Sequence, residues 1–159
     1  MILVTLGTQD KSFVRLLNAI QKQIDNGNIK DRVVVQAGYT AFESKEMEIF
    51  DYMLKDDFEK FMATCDLLIT HGGVGSIMTG INAEKKIIAA ARLKEFGEHT
   101  NDHQIQIVER FNRDGYVIAL NDFDKLDEAL EKAKKLKVKK YKSNTNNLIK
   151  YLESYIDNI

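Results

Sequence analysis

Asp66-Leu67-Leu68-Ile69-Thr70-His71-Gly72-Gly73-Val74-Gly75-Ser76-Ile77-Met78-Thr79-Gly80-Ile81 is the stretch that decides how this chain folds. Its first five residues are a short apolar run closed by polar residues and glycines, the pattern of a buried strand. His71 to Ser76 then reverses direction, and Ile77, Met78 and Ile81 resume at helical spacing. A strand that passes through glycines into a helix leaves backbone N–H groups unpaired at the helix start. With the positive end of the helix dipole, those donors favour an anion. Gly72, Gly73 and Gly75 allow backbone approach without a Cβ, and Ser76 adds a hydroxyl. The stretch reads as a diphosphate cradle. The same glycines also suit a tight strand-to-helix turn with His71 as a polar turn residue, and spacing alone does not separate the two.

Outward from this centre, strands and helices alternate. Met1–Leu6 reads as a buried strand ending at Gly7-Thr8, and Phe13, Leu16, Leu17, Ile20 and Ile24 share one helical face stopped by Asn26-Gly27-Asn28. Gly7-Thr8 is a second place where backbone donors could meet phosphate, or an ordinary strand-to-helix turn. No second or third glycine follows Gly7, so the dinucleotide fingerprint is absent and NAD-type dehydrogenases are set aside. Arg32–Gln36 and Glu48–Leu54 read as strands, the second followed by a short helix opened by Asp56 and Asp57. Lys86–Ala91 is a further strand, then a polar loop from Arg92 to Thr100. Asn101-Asp102 can cap a helix carrying Ile105, Val108 and Phe111. Tyr116–Leu120 reads as the last strand, and Asp122 or Asp124 caps a helix bearing Leu126, Leu130, Ala133 and Leu136. The lysine-rich run from Lys132 to Lys142 reads as a solvated helix terminus, with contact to anionic lipid as the other option. A final helix from about residue 144 places Leu148, Leu152 and Tyr155 on one face and Ile149 and Ile156 on another, a surface for a partner or for packing on its own domain.

This alternation predicts an α/β fold: a single domain over 1–159 with a mainly parallel, Rossmann-like sheet and helices on both faces. Ligands of such sheets bind beyond the carboxyl ends of the strands. The Gly7 turn, the Lys55-Asp56 turn, the His71–Ser76 turn and the Arg92–Gln104 loop all fall on that edge, and their convergence weighs more than any one of them. The 159 residues suffice for one cored domain; 44% apolar and 30% charged residues describe an ordinary globular chain. A formal charge of −1 gives no general electrostatic reason to expect nucleic acid. The one cysteine, Cys65, reads as a buried small hydrophobe, which suits a reducing compartment such as the cytoplasm. No run is long enough for a membrane span, and the N-terminus is not a signal peptide.

Val4-Thr5-Leu6-Gly7-Thr8, Thr70–Ser76 and Asn101-Asp102-His103-Gln104 together resemble the C-terminal, donor-binding half of family 28 glycosyltransferases, which have the GT-B architecture. The chain resembles in particular the single-domain catalytic subunits of two-component transferases: the one that adds the second N-acetylglucosamine to a dolichol-linked sugar, and bacterial counterparts in capsule and exopolysaccharide synthesis, to which His71–Ile77 and Glu98–Gln106 are most similar. The resemblance implies a UDP-sugar donor and inverting transfer to a lipid-linked saccharide, with no obligatory metal and no bound cofactor. It places the diphosphate at His71, Gly72, Gly73, Gly75 and Ser76, faced by Gly7 and Thr8. Uracil would meet the backbone around Leu54 and Lys55. Asn101, Asp102, His103 and Gln104 would lie at the sugar or ribose. Thr79 departs from the pattern: many relatives carry a ribose-binding glutamate there, and a threonine cannot accept from two hydroxyls as a carboxylate does. His71, His99, His103 and Glu98 are available as general base, although in this family the base usually belongs to the other half of the enzyme. With Met1 opening the first strand, that half is expected to be a separate, membrane-anchored subunit that binds the acceptor and recruits this chain to the cytoplasmic face. The competing expectations are an inactive nucleotide-sugar-binding module for regulation or scaffolding and, from pattern alone, a flavodoxin-like domain, for which no convincing acidic pocket is present.

Overall fold

The computed structural model of the protein describes residues 1–141. The proposed final helix from about residue 144, and Lys142, lie outside them. Among the described residues, six strands form one sheet: β1 (Ile2–Thr5), β2 (Val33–Gln36), β3 (Met47–Phe50), β4 (Leu67–His71), β5 (Lys86–Ala90) and β6 (Ile118–Ala119). Their order is β3-β2-β1-β4-β5-β6, with every pair parallel. Parallel neighbours need crossovers: α1 (Val14–Asp25), α2 (Lys55–Thr64), α3 (Val74–Asn82) and α4 (His103–Arg113) lie between successive strands, residues 37–46 link β2 to β3 without a helix, and α5 (Leu126–Lys135) follows β6.

Strand side chains alternate between the faces of the sheet. Ile2, Val4 and Leu6 therefore join Leu16, Leu17 and Ile20 of α1 and Leu126 and Leu130 of α5 in one core layer. Leu3 faces the other way, with Met62 of α2, Ile77 and Ile81 of α3 and Val108 of α4. The strands are apolar almost throughout because both faces are covered. The sheet is the predicted Rossmann-like α/β fold.

Two strands are shorter than their sequence patterns. β3 stops at Phe50 because its neighbour β2 turns away at Gly38, which has φ +60°; residues 51–54 form a connection, and α2 starts at Lys55 with Asp56 and Asp57 in its first turn. β6 is reduced to Ile118–Ala119 because Tyr116 packs on Phe111 and Tyr141 instead of extending the ladder. Cys65 is buried, its thiol donating to the Met62 carbonyl at 3.4 Å, and burial raises its pKa.

Candidate functional site

The chain reverses the direction of strand addition between β1 and β4, and the crevice of such a sheet lies at that point. A cleft of about 320 Å³ opens there, at the carboxyl ends of the strands. Thr5, Gly7, Thr8 and Gln9 line it from the β1 side, His71, Gly73, Gly75 and Ser76 from the β4 side, with Gln36, Phe58 and Gln104 completing the wall. No Asp, Glu, Lys or Arg is among these residues. A larger hollow, about 780 Å³, sits beside the end of α1 and α5, rimmed by lysines and carboxylates. It flanks the opposite, amino edge of the sheet, where parallel sheets do not place their ligands.

The two walls are pinned inside the protein by a bond between the Thr5 and Thr70 hydroxyls, 2.8 Å apart. Beyond it His71 closes β4, and its ring sits between two glycines. A Cβ on Gly7 would lie 2.7 Å from the ring, and one on Gly73 only 2.4 Å from Nε2. Gly7 also has φ +82°, which other residues rarely adopt. Nδ1 is buried without a hydrogen-bond partner, the Thr5 carbonyl lying nearby and favouring a proton without completing a bond. Burial first, and then the Arg92 guanidinium, push the His71 pKa down to about 4. The ring is a neutral wedge at neutral pH.

This carries a pH dependence. The folded pKa lies below the unfolded value of 6.5, so the unfolded chain takes up the proton first and stability falls as pH drops from 6.5 towards 4. Between about pH 7.5 and about pH 5 the loss from this one group is about 2 kcal/mol. Urea unfolding at both pH values should show that difference, and His71→Phe should remove this share of it.

The glycines after His71 serve different ends. Gly72 is buried, and a Cβ there would meet Gln104 Cβ and Val108 Cγ2 at 2.9 Å; its bareness lets α4 pack against the turn. Gly73 makes room for the His71 ring. Of the three glycines in this turn, only Gly75 has open space where its Cβ would be. Gly73 caps α3 in an extended conformation with no side-chain cap, and the first helical bond runs from Ile77 N to the Gly73 carbonyl at 3.1 Å. The amides of Val74, Gly75 and Ser76 therefore have no partner within the helix. Thr79, one turn on, is exposed, and its hydroxyl donates back to the Gly75 carbonyl at 2.8 Å.

Arg92, at the start of the polar loop after β5, organises the other rim. It is 1% exposed. Its guanidinium donates to the carbonyls of Leu6, Lys11 and Glu98, tying the β5 end to the first turn. Glu98 is held by Arg15 through two bonds of 2.9 and 2.7 Å, and accepts from Leu93 N as well. Arg15 in turn lies over Phe96 and Phe123, 4.3 and 4.1 Å from the ring centroids. Glu98 is thus a strut, and its geometry does not suit a general base. Only the lone arginine after Ala89-Ala90-Ala91 hinted at this network in the sequence.

The remaining candidates divide. Gln104 lines the cleft and accepts from Arg92 N at 3.0 Å, leaving its amide nitrogen for a ligand. Asn101, Asp102 and His103 are exposed and stand outside the lining. Asn101 accepts from His103 N and Asp102 from Lys94 N, so Asn101 provides the capping bond at α4. Leu54, 77% exposed, and Lys55, paired with Glu59 at 3.7 Å, also lie outside the lining; Phe58 of the same helix reaches it.

A family model for the glycosyltransferase family 28 C-terminal domain matches residues 1–159. The UDP-N-acetylglucosamine transferase subunit ALG13 of Candida albicans (strain SC5314 / ATCC MYA-2876) is 27% identical over 81 residues, 51% of this chain and 26% of that protein. Its namesake from Debaryomyces hansenii is 26% identical over 93 residues, 58% of this chain and 43% of the relative. The chain spans less than half of either. Among solved structures, the glycotransferase of kitacinnamycin superposes with a TM-score of 0.63 at 19% identity, over 83% of this chain and 34% of that one. The solution structure of ALG13 superposes with a TM-score of 0.58 at 18% identity, over 95% and 93% of the two chains. These likenesses speak to the fold.

Proposed function

The chain belongs to the glycosyltransferase family 28 C-terminal domain family, and on that premise we propose that it is the donor-binding catalytic subunit of an inverting UDP-sugar glycosyltransferase. One observation carries the reading: the cleft offers an anion the unpaired amides of α3, the Ser76 hydroxyl and the Gly7 turn, and no carboxylate among its lining residues opposes it. The diphosphate lies on those amides. The acceptor's oxygen bonds to the anomeric carbon as the bond to the distal phosphate breaks, and the electron pair stays on the diphosphate. Charge gathering there is met by amide and hydroxyl donors, without an obligatory metal. A threonine at 79, already bonded to Gly75, leaves the ribose to another group.

The acceptor's proton needs a base. His71 is buried, wedged and depressed to about 4, Glu98 is fully engaged, His103 stands outside the lining, and the His99 ring nitrogens face Asn101 N and the Gln9 amide. The base therefore comes from a second, membrane-anchored subunit that binds a lipid-linked saccharide and holds this chain at the cytoplasmic face. The naming of the curated relatives as subunits supports a partner, and their N-acetylglucosamine transferase names supply a UDP-sugar donor. A place in capsule or exopolysaccharide synthesis rests on the sequence resemblance alone. The lack of a free base in the cleft also fits an inactive nucleotide-sugar-binding module. UDP release measured with a lipid-linked acceptor, for the chain alone and with its co-purified partner, separates the two. Activity only with both, unchanged by EDTA, is the expected result; UDP bound but never released from its sugar in either sample favours the module.

A further inference from the structure

The β5–α4 loop carries one side chain that no donor-binding assignment covers: His99, which stands outside the cleft lining but reaches Gln9 on its rim. Asn101 N donates to His99 Nδ1 at 3.2 Å. That nitrogen accepts, so the ring proton sits on Nε2. Nε2 lies 3.3 Å from the side-chain amide of Gln9, a lining residue of the cleft. Two N–H donors cannot face each other, and amide oxygen and nitrogen are interchangeable by a flip, so Gln9 meets the ring with its oxygen. The same Asn101 caps α4 through its side chain, and Glu98, next to His99, is fixed by Arg15. The ring is therefore held in one tautomer, with an N–H aimed at the first loop.

Strand order then says which part of a ligand it meets. Gln36, closing β2, and Phe58 of α2 stand on one side of the cradle; the loop after β5 stands on the other, next to β4. A nucleotide whose diphosphate lies on α3 has the β5 side left for its sugar-bearing end. Resting on the donor-site reading above, the geometry points to His99 as a hydrogen-bond donor to the distal phosphate of the bound nucleoside diphosphate, with Gln9 occupying its Nε2–H while the site is empty. No proton is transferred; His99 stabilises the oxygen that keeps the electron pair when the sugar departs.

Calorimetric titration of the full chain with UDP and with UMP tests this. His99→Phe, which removes the donor, should weaken UDP about tenfold or more and leave UMP within about twofold, because UMP has no distal phosphate. His99→Gln keeps an N–H and should recover most of the UDP affinity. Wild-type UDP affinity in His99→Phe, or an equal loss for UMP, overturns the assignment. Gly75→Val run beside it keeps the two readings apart: loss there with none in His99→Phe removes only the His99 donor, whereas wild-type UDP affinity in Gly75→Val removes the donor site itself.

Discussion

Gly75→Val yields a folded chain whose UDP affinity is at least about 100-fold weaker. Nothing lies within 4 Å of the Cβ position, and Gly75 is not among the left-handed glycines, so the fold accepts the side chain. Valine in a helix interior is no worse than glycine. The open space is the cleft itself, and an isopropyl group there holds an anion off the α3 amides. Each amide-to-anion bond is worth about 1.5–3 kcal/mol, so losing two costs about 3–6 kcal/mol. Calorimetry should show the loss, and urea unfolding a midpoint close to wild type. Gly72→Ala should behave in the opposite way, costing stability because its Cβ would collide with α4.

Arg92→Lys lowers stability by about 3–5 kcal/mol. An ammonium on a flexible stem cannot serve the carbonyls of Leu6, Lys11 and Glu98 together as a planar fork does. Acceptors left bare in the interior cost about 1–3 kcal/mol each, and total stability is only about 5–15 kcal/mol. The loss should appear in urea unfolding and bring weaker UDP binding, because Leu6 leads directly into the Gly7 turn. A midpoint within error of wild type would show that Arg92 is not the tie described here.

The central strands, the helices and the placing of the site at the carboxyl edge were legible in the sequence because each depends on local periodicity. Seven expected residues meet in the cleft: Gly7, Thr8, His71, Gly73, Gly75, Ser76 and Gln104. What each glycine is for was not legible, since Gly72 answers to Val108 and Gly73 to a neighbouring imidazole, and no local pattern records such packing. Arg92 escaped for the same reason: the Leu6 carbonyl it serves is 86 residues away. Expectations that the resemblance set on Leu54, Lys55, Asn101, Asp102 and His103 fall outside the lining, where Asn101 and Asp102 instead shape the backbone around His99 and Lys94. The ends of β3 and β6 were misplaced because β3 stops where β2 turns away at Gly38 and β6 starts only after Tyr116, which packs on Phe111 and Tyr141; no local pattern records either.

The hydroxyl bond between Thr5 and Thr70 joins positions 65 apart in the chain, and the pocket straddles that seam. Neither half of the polypeptide forms this cleft alone. During refolding the cleft is complete only once that long-range pairing has formed, and on the function proposed above a bound UDP-sugar would make the finished fold reopen less often. On that proposal, a cell starved of sugar donor would lose this protein to proteolysis sooner than one with its nucleotide pool intact.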